Sequence, residues 1–352
     1  MATITLGMAT SHSPMMNTPA ELWGSYVEID KRSKGLISPR SNLLVSYEEL
    51  LDEARSDPRI AQEFSQEKFD ANYALCQEAI AQLVRTYTEV SPDVVVMFTD
   101  DQGELFFYDN MPMINVYWGN TFRLVPRTPA PDAPPGTKAS TWGFGTTEME
   151  VPVETGLAYH LIEFLRDADF DISHTQYLHD THGGTIGPAG YYLDTAVKVA
   201  PRYQGMGHGF AFLVKRIMED KPVPVVPIAL NTCYPPNAIT PRRAYALGMA
   251  VRDGIRAWST DRRVAVMGSG GLSHLVVDEI IDRLTLKGLM EADGELLSSL
   301  PRERLQANSS EILNWLACAG AMAPKKMTLL NYVPVYRSLA GSGGGWAQGV
   351  WV

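Results

Sequence analysis

Pro92-Asp93-Val94-Val95-Val96-Met97-Phe98-Thr99 is an uninterrupted apolar run of strand length. A run of this kind suits a strand covered on both faces, because a strand with one wet face alternates apolar and polar residues. Val223 to Asn231 and Arg263 to Met267 repeat the pattern, and Ile4 to Met8 gives a short first strand ending in the polar tip Thr10-Ser11-His12-Ser13-Pro14. Between the strands lie helical periods. Phe69, Tyr73, Cys76, Ile80, Leu83, Val84 and Tyr87 fall at three- and four-residue steps and predict a helix from about Gln66 to Thr88. Glu154 to Arg166 reads as a helix and Asp171 to Tyr177 as a strand, while Thr240-Pro241 supplies a cap and first-turn pair for a helix reaching about Trp258. Strands alternating with helices predict an α/β fold, a central mixed sheet with helices on both faces.

The expected organisation is a single catalytic α/β domain over residues 1–340. It carries a helical insertion at about 17–90, in which Ser46-Tyr47-Glu48-Glu49 forms a capping-box signature. From Ile280 the chain reads as helical, and residues 341–352, opening with Gly341 to Gly345, read as a flexible Gly-rich tail.

Composition narrows the function. Thirty Lys and Arg against forty Asp and Glu give a net charge of −10, with no basic run, so the chain lacks the electrostatic footprint of a nucleic-acid or anionic-membrane binder. Cys76, Cys233 and Cys318 are far apart, and no C-x-x-C pair occurs, which fits a reducing compartment. With no targeting segment or membrane-length apolar stretch, the expected location is cytoplasmic.

Seven histidines can be weighed singly. His12, His182 and His274 each sit among small or turn residues at expected strand ends: Ser11-His12-Ser13-Pro14, Thr181-His182-Gly183-Gly184 and Gly271-Leu272-Ser273-His274. Small neighbours admit a ligand close to the backbone, and an imidazole there binds metal or moves protons near neutral pH. His160 and His174 fall inside regular elements and read as structural; His179 and His208 carry no assignment. No G-x-x-x-x-G-K-[ST] or G-x-S-x-G motif occurs, against a P-loop or a serine hydrolase.

Ser11-His12-Ser13-Pro14, the Asp100-Asp101-Gln102 cluster with Leu105-Phe106-Phe107-Tyr108-Asp109, Thr181-His182-Gly183-Gly184, Gly268-Ser269-Gly270-Gly271-Leu272-Ser273-His274, and Glu311 before Leu313-Asn314-Trp315-Leu316 carry a resemblance. Together they resemble the class III extradiol ring-cleavage dioxygenases, of the protocatechuate 4,5-dioxygenase β-subunit type with gallate and 3-O-methylgallate dioxygenase relatives. The resemblance implies a non-haem Fe(II) site with His12 and Glu311 as ligands, His274 as active-site base and His182 as a second acid/base or positioning group. It also implies a small aromatic substrate, O2 as co-substrate and a homo-oligomer.

The sequence departs from the family pattern where a second histidine ligand belongs, because Gln102 stands there. Gln102 could bind through its carbonyl oxygen, or Asp101 or Glu104 could supply a carboxylate in its place; a carboxylate-rich set would tilt the site toward Mn(II). Glu311 has its own alternative, as the third residue of a capping box begun at Asn308. The leading expectation is an Fe(II)-dependent extradiol dioxygenase acting on a catechol-type ring, carboxylated or methoxylated. A non-oxidative metal-dependent hydrolase or lyase, or a metal-free binding protein, is the alternative. Arg127, Arg242 and Arg243 are candidate partners for an anionic substrate by residue type alone.

Overall fold

The computed structural model describes residues 1–187 and 197–352. Thirteen strands are present among them: β1 Thr3–Thr10, β2 Val94–Asp100, β3 Ile114–Tyr117, β4 Thr121–Leu124, β5 Met149–Pro152, β6 Ser173–Thr175, β7 Thr181–Ile186, β8 Val197–Tyr203, β9 Val225–Leu230, β10 Arg263–Ser269, β11 His274–Val276, β12 Thr328–Tyr336 and β13 Ser342–Trp351. Nine build one sheet in the order β11-β13-β1-β10-β2-β9-β3-β6, with β12 paired to β13; β4-β5 and β7-β8 form separate hairpins. The centre, β1-β10-β2-β9, is parallel, whereas β3 runs antiparallel to β9, and β13 runs antiparallel to β1, β11 and β12. The sheet is therefore mixed, as expected.

Side-chain alternation explains why the central strands are apolar throughout. Val94, Val96 and Phe98 of β2 point into one core with Leu161, Val251 and Leu316, whereas Val95 and Met97 point into a second with Phe69, Ile80 and Leu83. Helices Thr155–Asp167, Pro241–Ala257 and Ile312–Met322 cover the first face, and the long helix Gln66–Val90 covers the second. Every residue of β2 is buried, and each such Val or Met contributes roughly 1.5–3 kcal/mol relative to exposure. The caps read from the sequence are in place: Ser46 accepts from the Glu49 N–H, the Glu49 carboxylate accepts from the Ser46 N–H, and Thr240 accepts from the Arg243 N–H with Pro241 in the first turn.

The C-terminus is a correction. Residues 341–352 are not a flexible tail, because Ser342–Trp351 is β13, buried at every position and bonded to three strands. Its glycines serve close packing rather than mobility. Gly343 has φ +146°, and a Cβ there would meet the Val335 carbonyl oxygen at 1.8 Å; at Gly345 it would meet Asp282 Oδ2 at 1.9 Å. The stretch after Ile280 is likewise not wholly helical, since β12 and β13 form a long hairpin. A buried ion pair closes this hairpin on the N-terminal region: Arg337 donates from Nε and Nη2 to Asp30 at 2.8 and 2.5 Å, and Ser342 Oγ donates to the same carboxylate at 2.6 Å.

Candidate active site

The parallel strands β1, β10 and β2 end side by side, and the loops after their carboxyl ends bring distant residues together, as open α/β sheets do. His12 follows β1, Asp100-Asp101-Gln102 end β2, and Gly270 to His274 follow β10. Glu311 stands at the start of helix Ile312–Met322, packed behind these ends. Trp315 fixes the glycine loop by donating Nε1–H to the Gly270 carbonyl at 2.8 Å, and Asn314 donates to both the Ser269 carbonyl and Asp100 Oδ1 at 2.9 Å.

Glu311 is the hub. Its Oε2 accepts the Gly271 N–H at 2.6 Å and lies 3.0 Å from His12 Nε2; its Oε1 accepts from Gln102 Nε2 at 2.5 Å and from His274 Nε2 at 3.0 Å. The side chain thus serves the site and makes no capping-box bond to Asn308. Burial opposes the charge on Glu311, but His274 and His12 outweigh it and hold the carboxyl well below its usual range. For His274 burial works downward, while the charge and hydrogen bond of Glu311 and the Leu272 carbonyl win and raise the imidazole above its ordinary value.

The other expected residues separate by geometry. Gln102 turns its amide nitrogen to Glu311. Asp101 closes the turn after β2, accepting the backbone N–H groups of Glu104, Leu105 and Phe106 at 3.3, 2.8 and 3.1 Å, and burial still pushes its carboxyl up to about 6. Glu104 Oε2 accepts from the His208 N–H at 2.9 Å and from Nδ1–H at 2.8 Å, while its other oxygen pairs with Arg127. His182 is not brought to this cluster. It lies on β7 beside His179, lining a different cavity with Phe106 and Asp109, and burial lowers its pKa. Arg243 sits on the ring of Phe170 along helix Pro241–Ala257, and neither it nor Arg242 lines the cavity around His12.

His208 is the residue that sequence reasoning missed. Its Nε2 lies 3.1 Å from His12 Nε2, and the two rings meet edge to face with centroids 4.6 Å apart. Close packing makes this possible: a Cβ on Gly207 would meet Glu104 Oε2 at 2.7 Å, and one on Gly209 would meet Thr99 Oγ1 at 1.8 Å. The available signal was Met206-Gly207-His208-Gly209, an imidazole between glycines of the kind that singled out His182.

These groups suit a metal ion. Ligand atoms of His12, Asp100 and His208 lie within 4.8 Å of one another, and Glu311 touches His12. One oxygen of the fully buried Asp100 has no hydrogen-bond partner, an uncompensated polar atom of the sort a cation satisfies. Imidazole and carboxylate donors match iron or manganese better than a soft metal. His12, His208 and Glu311 line a cavity of about 470 Å³ whose other walls include Met15, Tyr26, Ile29, Phe144 and Trp346. That is room for a single substituted aromatic ring. Arg127 and Arg202 also line it; burial and the neighbouring Arg202 pull the Arg127 guanidinium down to about 10.

Comparison with known proteins agrees with this geometry. Residues 58–337 match the family described as the catalytic LigB subunit of aromatic ring-opening dioxygenase. A 2,3-dihydroxyphenylpropionate/2,3-dihydroxicinnamic acid 1,2-dioxygenase of Photorhabdus laumondii is 29% identical over 201 residues, covering 56% of this chain and 48% of that protein. Its counterpart from Xanthobacter autotrophicus is 30% identical over 224 residues, covering 62% and 55%, and that of Mycolicibacterium smegmatis is 29% identical over 199 residues, covering 56% and 48%. The chain spans about half the length of the curated relatives it matches. No helix among the described residues is long and apolar enough to cross a membrane. With the family match covering most of the chain, and His12, His274 and Glu311 gathered at the carboxyl ends of the parallel strands, this chain belongs to the LigB family of aromatic ring-opening dioxygenases.

Proposed function

We propose that this protein is an Fe(II)-dependent extradiol dioxygenase that opens a catechol-type ring bearing an anionic substituent, with Mn(II) as the other metal its ligands suit. The observation that carries the reading is the Glu311 carboxylate, 3.0 Å from both His12 Nε2 and His274 Nε2, lining a ring-sized cavity. His12 and Glu311 would hold the metal. When bound, it supplies Lewis acidity toward a ring hydroxyl and a route for electrons from ring to O2.

The chain's own residues prepare the substrate. His274 Nε2, in the neutral imidazole, would accept the proton of a ring hydroxyl, and the Nδ1–H bond to the Leu272 carbonyl at 2.9 Å fixes the ring plane for that transfer. The apolar walls Met15, Ile29, Phe144 and Trp346 exclude water from the ring. With Arg127 paired to Glu104, Arg202 puts positive charge on the wall of a chain whose net charge is −10, which favours a carboxylated catechol over a neutral one. The relatives named for 2,3-dihydroxyphenylpropionate act on such a compound.

The test is O2 uptake with absorption spectra by protein loaded anaerobically with Fe(II), offered 2,3-dihydroxyphenylpropionate, protocatechuate, gallate and unsubstituted catechol. The reading expects O2 consumption with a ring-cleavage chromophore, faster for the carboxylated rings. Metal binding without O2 uptake across catechols would favour the non-oxidative hydrolase or lyase instead.

A further inference from the structure

We infer that His208 is a metal ligand of this protein, completing with His12 and Glu311 a two-histidine, one-carboxylate set, while Gln102 orients Glu311 and does not bind the metal. The inference rests on the proposed metal-dependent reading and assigns the third ligand to a residue outside the strand-end loops.

Hydrogen bonding of the two imidazoles carries the argument. His208 Nδ1 faces the Glu104 carboxylate at 2.8 Å, and a carboxylate only accepts, so Nδ1 carries a proton and the neutral ring keeps its lone pair on Nε2. His12 Nδ1 lies 3.0 Å from Ser269 Oγ, which is able to accept its N–H in the tautomer that leaves the lone pair on His12 Nε2, the form a metal ligand takes. These two Nε2 atoms face each other at 3.1 Å, and Glu311 Oε2 lies 3.0 Å from the first. Lone pairs so close repel unless a proton or a cation is shared. Donor separations near 3 Å are also those of atoms bound to one divalent ion at about 2.1 Å and near right angles.

The surroundings match such a role. Metal-bound histidines characteristically donate their other ring N–H to a carboxylate that fixes tautomer and orientation. Glu104 does this for His208, is itself buried, and is paired on its far side with Arg127, so its charge is compensated. Gln102 fits the complementary role, because its donor nitrogen sits 2.5 Å from Glu311 Oε1, steering the carboxylate from outside. Asp101 is committed to three backbone N–H groups of the β2 turn.

The test is anaerobic Fe(II) affinity by chelator competition, together with pulsed paramagnetic resonance of the Fe(II)–nitric oxide complex, which counts coordinated imidazoles. Wild type should show two imidazoles. His208→Ala should show one and lose roughly 100-fold or more in affinity, Glu104→Gln should lose about 10–100-fold, and Gln102→Ala should keep two imidazoles and lose less than either. The wild-type count needs no variant, and thermal melts check that the variants fold. One imidazole in wild type, or wild-type affinity in a folded His208→Ala protein, would overturn the assignment while leaving the metal-dependent reading intact. No Fe(II) binding by wild type would overturn both.

Discussion

His274 and Glu311 meet at 3.0 Å through Nε2 and Oε1, while His274 Nδ1 faces the Leu272 carbonyl at 2.9 Å, so both ring nitrogens of His274 point at acceptors. That arrangement favours the imidazolium and explains the raised pKa. A base must be neutral to accept a proton. Activity of the metal-loaded protein should therefore rise with pH along a limb set by loss of the His274 proton. In His274→Gln the limb should vanish and kcat fall by about 10²–10⁴-fold with metal content retained, which pH–rate profiles and metal analysis would show.

The Asp30–Arg337 pair should be costly to break. Both side chains are buried, and the pair joins the N-terminal helical region to the β12–β13 hairpin beside the cavity. Asp30→Ala leaves a guanidinium without its counter-charge, which should destabilise by about 3–5 kcal/mol in denaturant unfolding. Replacing both residues with leucine and methionine should cost much less, since no unpaired buried charge remains.

Asp282 gives a pH dependence of stability. Burial raises its carboxyl from 3.8 to about 7, although Ser273 N–H, Ser273 Oγ–H and the Tyr332 hydroxyl donate to it at 2.7, 2.8 and 2.9 Å. Between those two values the native state holds a proton that the unfolded chain has released. Stability should accordingly fall as pH rises from about 4 to 7 by this contribution and level off above it. Asp282→Asn should flatten the profile in urea titrations.

How much was legible in the sequence follows from side-chain pattern. β2, β9 and β10 announce themselves because a doubly covered strand must be apolar at every position, and the capping residues Ser46 and Thr240 name the starts of their helices. β13 was illegible for the opposite reason: five of its first eight residues are glycine or serine, selected for backbone approach to Val335 and Asp282 rather than for a hydrophobic face. Gly345→Ala should accordingly cost about 1–3 kcal/mol, read by thermal or urea unfolding, because the Asp282 carboxylate occupies the methyl's place.

The site divides in the same way. His12, His274 and Glu311 were readable because motifs surround them, and the structure brings all three together. His208 reaches the same cavity through tertiary packing and does not stand at the end of a strand of the nine-stranded sheet, whereas Arg127, named from residue type alone, also lines it. His182 has the local look of a site residue without the location, since β7 belongs to the separate β7–β8 hairpin.

The most direct measurement is mass spectrometry of the product formed by Fe(II)-loaded protein from 2,3-dihydroxyphenylpropionate or protocatechuate under 18O2. The account predicts a ring-opened product of substrate plus both oxygen atoms, carrying label from the gas. A product containing oxygen from water alone, or turnover unaffected by removal of O2, would contradict it.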